Sequence, residues 1–167
     1  MIVLILDRNK RAYKDEDQFE LAVSITASIL DFAATREMAV GFLSAGENTK
    51  VFEPKRGVKQ KNAILNHLIE TEPDGLNALS GILQERVRAF ELGTFFVLVT
   101  PQFGEALMPS LTLLEQRRMK PCHMWVAAEL ATNVQEQWMR ELQSERLPGY
   151  AVTSLDKLSL IVGGTRK

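Results

Sequence analysis

Three features of the sequence predict a three-layer α/β fold with a mostly parallel, doubly wound (Rossmann-like) sheet and one antiparallel edge strand. Two short runs, Ile2–Leu6 and Phe95–Val99, are wholly apolar, rich in aliphatic and aromatic side chains, with no polar alternation. Strands of that kind are covered on both faces and belong at the centre of a parallel sheet. Predicted strands alternate with predicted helices along the chain, the pattern of a sheet with helices on both sides. Finally, Ala45-Gly46-Glu47-Asn48 has the residues of a hairpin turn, which makes one strand antiparallel.

The elements follow in order. The first run stops at Asp7 and a polar turn, Arg8-Asn9-Lys10-Arg11. Phe19–Ala34 is apolar on nearly all sides and reads as a helix buried against the sheet, capped by Asp15 or Asp17. Met38–Ser44 predicts the second strand. Thr49–Glu53 is short, polar and followed by Pro54, which puts it at an edge. Gln60–Thr71 is amphipathic, Glu72-Pro73-Asp74-Gly75 ends it, and Leu76–Phe90 predicts the next helix. The second apolar strand comes after Gly93. Gly104–Met119 reads as a helix with Pro109 in its first turn or kinking it. His123–Ala127 is the fifth strand, Asn133–Arg146 a helix carrying Trp138, and Pro148-Gly149 turns the chain into Tyr150–Thr153. Leu155–Val162 fits either a short helix or a strand, and Gly163-Gly164 reads as a frayed tail.

The chain of 167 residues fits one domain, residues 1–167, long enough to bury roughly 70% of its unfolded surface. A hydrophobic fraction of 46%, a charged fraction of 25% and a net charge of −1 describe an ordinary soluble protein. They give no general attraction to nucleic acid or anionic lipid. The single cysteine excludes an internal disulfide or a zinc site of several thiolates and suits a reducing compartment. No apolar run approaches the ~18 residues of a membrane span, so a cytoplasmic location is expected. A domain that begins on its central strand is also what an excised piece of a longer protein looks like.

Right-handed crossovers and the hairpin place three segments together at the upper, carboxyl edge of the sheet, where open α/β proteins bind ligands. These are Asp7-Arg8-Asn9-Lys10-Arg11, the turn containing Asp74, Gly75 and Asn77, and Thr100-Pro101 with Phe103. The hairpin sends Lys55 and Arg56 to the opposite edge. The two basic clusters are therefore separated and offer no continuous track for a phosphate backbone.

Several of these residues also match a known pattern. The strand ending in Asp7, the helix with Phe19-Glu20-Leu21-Ala22-Val23-Ser24 and Ala27-Ser28, the Glu70-Thr71-Glu72-Pro73 turn and the strand closing on Val99-Thr100-Pro101 resemble the carboxyl-terminal part of a bacterial family. That family is catalogued as domain of unknown function fifty-eight, and this part of it looks like a von Willebrand factor A domain. The resemblance covers roughly residues 2 to 130. It implies a chain belonging to a membrane-anchored protein and a role beside a MoxR-type AAA+ ATPase in assembly or activation of other proteins.

The comparison also implies a metal-ion-dependent adhesion site built from hard oxygen ligands. Here Asp7 stands at the first ligand position, but Asn9 and Arg11 occupy the two serine positions, Leu76 the threonine position, and Thr100-Pro101 the place of Asp-Gly. Asp7 alone retains a strong ligand type, so no metal and no other cofactor is expected. A basic side chain, Lys10 or Arg11, is expected to pair with Asp7 in the cation's place.

Other candidates are weaker. Cys122 and His123 are adjacent on a strand, so their side chains point to opposite faces and form no nucleophile–base dyad. Core packing is the expected role of Cys122, and His67 is expected at a surface or boundary. Phe103 fits equally an exposed anchor for a partner or a staple under the following helix. No phosphate loop or nucleophile elbow is present. The expected function is a non-enzymatic protein-interaction module using the upper edge. The alternative is a small α/β hydrolase acting on a phosphorylated or nucleotide substrate with Asp7 as nucleophile or base.

Overall fold

The computed structural model describes residues 1–127 and 132–158. Its six-stranded sheet consists of β1 (Ile2–Asp7), β2 (Val40–Ala45), β3 (Lys50–Lys55), β4 (Phe95–Thr100), β5 (Lys120–Val126) and β6 (Gly149–Val152). The spatial order is β3-β2-β1-β4-β5-β6, with every pair parallel except β2–β3. The predicted three-layer α/β architecture with one antiparallel edge strand is what forms.

The central strands explain their own sequence. Every residue of β1 is buried. Val3 and Ile5 enter the core on one face, and Ile2, Leu4 and Leu6 enter the core on the other. β4 does the same with Phe96 and Leu98 against Val97 and Val99. Each such side chain withdrawn from water contributes about 1.5–3 kcal/mol, so alternation with polar residues would forfeit one layer. Helices α1 (Glu16–Thr35) and α2 (Val58–Glu70) cover the second face, with Ile25 and Leu30 of α1 and Ile64 and Leu68 of α2 fully or nearly fully buried. Helices α3 (Leu79–Arg86), α4 (Met108–Gln116) and α5 (Thr132–Ser144) cover the first, through residues such as Leu83, Leu111 and Trp138.

Local chemistry sets most element ends. Asp15 caps α1 by accepting from the Gln18 N–H at 2.8 Å, and so α1 starts before the apolar stretch that announces it. Pro109 lies in the first turn of α4, where no N–H is needed. The predicted Gly104–Met119 helix is shorter than expected, a 3₁₀ turn over Gly104–Ala106 preceding α4. The predicted Leu76–Phe90 helix begins only at Leu79 and passes into a 3₁₀ turn at Val87–Ala89, because Gly75 is drawn into a parallel bridge with Asn9. Residues 155–158 are helical; the rest of the Leu155–Val162 segment and the Gly163-Gly164 tail lie outside the described residues. Among the described residues no helix is long and apolar enough to cross a membrane.

From β1 the chain steps outward to β2 and β3, then returns to the other side of β1 to lay down β4, β5 and β6. The direction of winding reverses between β1 and β4, and a crevice opens at the carboxyl ends of two such strands. Asp7 and Thr100 are the last residues of those strands.

Candidate upper-edge interaction site

Asp7 is 1% exposed. Its Oδ2 accepts from the Thr100 hydroxyl at 2.7 Å and its Oδ1 from the Asn9 backbone N–H at 2.9 Å. Burial pushes its pKa up, and those two donors, Asn9 first and then Thr100, pull partly in the other direction. The expected pairing of Asp7 with Lys10 or Arg11 does not form. Lys10 and Arg11 are exposed on a short 3₁₀ turn, and Asn9 caps that turn by accepting from the Arg11 N–H at 2.9 Å. Hydrogen bonds from the Asn9 N–H and the Thr100 hydroxyl already satisfy the carboxylate, which leaves the basic side chains free to remain hydrated.

The basic residue that turns inward is Arg8, 7% exposed. Its Nη2 meets Asp74 Oδ1 at 3.0 Å, its Nη1 donates to Ser44 Oγ at 3.1 Å and its Nε to the Glu72 carbonyl at 3.0 Å. Asp74 Oδ1 also accepts from the Glu47 N–H. A guanidinium taken out of water needs such partners, and here they come from two separate segments, the end of β2 and the Glu72–Asn77 loop. The Glu72–Asn77 loop is fastened further: the Lys10 N–H donates to the Gly75 carbonyl at 2.8 Å, the Gly75 N–H to the Arg8 carbonyl at 2.9 Å, and Asn9 Nδ2 to the Asn77 carbonyl at 3.2 Å. Gly46 and Gly75 allow this approach. A Cβ on Gly46 would lie 2.6 Å from both Arg8 Cζ and Asp74 Oδ1, and one on Gly75 would lie 3.0 Å from Gly46 Cα.

Behind Asp7 runs a buried polar chain that the sequence reading missed. Trp138 Nε1 donates to His123 Nδ1 at 3.0 Å, and His123 Nε2 lies 3.2 Å from the Thr100 carbonyl. A neutral imidazole carrying its proton on Nε2 satisfies both contacts, and full burial holds its pKa down to about 3. Thr100 Oγ1, besides donating to Asp7, accepts from the Gln102 N–H at 3.1 Å. Trp125 Nε1 donates to the Pro101 carbonyl at 3.2 Å. The only advance signal was the isolated polar His123 in an apolar strand.

The eleven sequence-predicted edge residues therefore gather at one edge but divide by role. Asp7, Arg8, Asn9, Gly75, Thr100 and Pro101 are buried and build the edge; Lys10, Arg11 and Asn77 are exposed, and Asp74 partly so. Phe103 packs against the core beside Trp125, ring centroids 5.0 Å apart. Cys122 is buried, its thiol pushed up by burial to about 11, and takes no part. His67 sits half-buried with its ring against Phe42 and Phe52.

No protein-family model and no curated protein matches the chain in sequence. Solved structures do match in shape. A conserved hypothetical protein, BatB from Bacteroides thetaiotaomicron, aligns with a TM-score of 0.61 at 12% identity over 99% of this chain and 96% of that one. An aerotolerance-related membrane protein from Bacteroides fragilis gives 0.62 at 10% identity, covering 98% and 96%. Manganese-loaded TRAP protein of Plasmodium vivax gives 0.62 at 14%, covering 96% and 72%. The fold is von Willebrand factor A-like. The mussel byssus proximal thread matrix protein, with a zinc-occupied MIDAS motif, gives 0.58 at 12% identity; this chain covers 43% of its length.

Two of these neighbours carry metal, and the residues here do not fit one. Asn9, which the resemblance puts at a serine ligand position, has Oδ1 engaged by Arg11 N–H and Nδ2 by the Asn77 carbonyl. Arg11 and Leu76 bring no oxygen donor in their side chains. Among the described residues no group of three or more Asp, Glu, His or Cys is placed to hold an ion.

Proposed function

We propose that this chain is a non-enzymatic protein-interaction module whose upper edge, a degenerate metal-ion-dependent adhesion site, contacts a protein partner without a bridging cation. The observation that carries this reading is the closure of the edge by the chain's own groups. Both oxygens of Asp7 are held by Thr100 and Asn9, and Arg8 ties Ser44, Glu72 and Asp74 together. A surface fixed in this way presents Lys10, Arg11 and Asn77 in set positions, which lowers the ordering cost of association. One neighbour of this fold is a pilus adhesin, which supports an interaction role.

In the finer reading the partner is a MoxR-type AAA+ ATPase that acts in protein assembly or activation. The chain then works in the cytoplasm, alone or as the cytoplasmic part of a membrane-anchored protein. The resemblance to the family of domain of unknown function fifty-eight supports this. A hydrolase using Asp7 would need a second acid near it, and among the described residues Asp7 is the only buried carboxylate.

A tagged full chain is expected to retain a purified MoxR-type AAA+ ATPase in a pull-down. Lys10→Glu with Arg11→Glu should weaken retention about tenfold, because reversed rim charges change association without disturbing the buried bonds. Retention unchanged by the double substitution would remove the turn from the contact surface, and no retention of the parent chain would remove the ATPase.

A further inference from the structure

Beside the upper edge, between the first turns of α1 and the end of α2, lies an open groove of about 880 Å³. Seven of its thirteen lining residues are Asp or Glu and one, Lys10, is basic. The whole chain carries a net charge of only −1, so this excess is local. We infer that the groove docks a basic peptide segment of a protein partner, one carrying Lys or Arg side chains interleaved with aliphatic ones. The inference rests on the reading that this edge contacts protein and adds the partner's chemistry.

Glu20, Glu70 and Glu72 are placed where a neighbour or a helix end disfavours them, whereas Glu16, in the first turn of α1, is favoured by the dipole there but crowds Glu20. Glu16 and Glu20 are four residues apart on α1, and like charges at that spacing repel. Glu70 ends α2 and Glu72 lies just beyond, at the negative end of the helix dipole. None of these four carboxylates is in an ion pair among the described residues; Asp74, by contrast, is already matched by Arg8. A cationic occupant relieves both conflicts. Ile69 and Leu76, 81% and 67% exposed, stand among the acids and offer apolar contact to a peptide. The acids are not grouped to hold a metal ion among the described residues, and they repel nucleic acid and anionic lipid. An extended groove with acid walls and aliphatic knobs matches a chain that alternates positive and apolar side chains.

The test is fluorescence anisotropy of the full chain with a labelled peptide of repeating Lys-Leu-Lys units, at low and high salt. Glu16→Gln, Glu20→Gln, Glu70→Gln and Glu72→Gln combined should weaken binding about tenfold or more, since each exposed pair adds a little and the set adds up. Ile69→Ser with Leu76→Ser should weaken it as well, and a peptide with Glu in place of Lys should not bind. All six side chains are exposed, and circular dichroism confirms that the variants fold. No binding by the parent chain, or equal binding by the charge variant, overturns the inference. A chain that binds no peptide yet retains the AAA+ ATPase through Lys10 and Arg11 overturns the groove and leaves the proposed function standing. Peptide binding in the groove without ATPase retention does the reverse.

Discussion

Gly46→Ala is expected to lower the unfolding free energy by about 2–4 kcal/mol, a large effect for one methyl group on a turn. The added Cβ lands 2.6 Å from Arg8 Cζ, Arg8 Nη1 and Asp74 Oδ1, inside the ion pair itself. Backbone freedom is not the reason, since Gly46 is absent from the positive-φ glycines. To accept the methyl group, Arg8 has to leave Asp74 or Ser44, and a guanidinium that is 7% exposed then loses partners without regaining water. Urea denaturation measures the loss. The mechanism predicts coupling: once Arg8→Met has removed the guanidinium, Gly46→Ala should cost far less than it does alone. A change under about 0.5 kcal/mol in the single variant would mean that the pair rearranges freely.

Thr100→Val should cost about 2–3 kcal/mol although the side chains are nearly equal in shape. Valine removes the donor to Asp7 Oδ2 and the acceptor of the Gln102 N–H, leaving a buried carboxylate half satisfied. The pH dependence gives the mechanism a sign. Folded Asp7 holds its proton more tightly than the unfolded value of 3.8. Its contribution is therefore most favourable below that value and is lost as pH rises from 3.8 through the raised folded pKa. Because the Thr100 bond pulls that pKa down, Thr100→Val should push it higher and extend the window of loss upward. Asp7→Asn should abolish the window and be no less stable than the parent chain at neutral pH. Equal pH profiles for the parent and Asp7→Asn would show that burial of this carboxylate costs nothing.

The layered architecture and the position of the edge were legible because they follow from local signals. Ile2–Leu6 and Phe95–Val99 can be apolar throughout only if both faces are covered, and Asp7 and Thr100 end those strands. The hairpin and the edge strand followed from Gly46, Asn48 and Pro54. What was not legible depends on pairs distant in the chain. Arg8 and Asp74 are 66 residues apart, and nothing in the periodicity near Arg8 distinguishes it from Lys10, which stays in water. The start of α3 was misplaced because a bridge from Asn9 to Gly75 outweighs the helical pattern of Leu76–Ala78. His123 and Trp138 were each visible as isolated polar or amphipathic residues, but their bond spans β5 and α5 and becomes meaningful only with the Thr100 carbonyl.

A cation-free edge is the central claim, and calorimetric titration of the full chain with manganese tests it most directly. The expected result is no heat beyond dilution, because Asp7 is satisfied by Thr100 and Asn9, while Arg11 and Leu76 bring no ligand oxygen from their side chains. Micromolar binding that Asp7→Ala abolishes would contradict it and make the upper edge a working metal site.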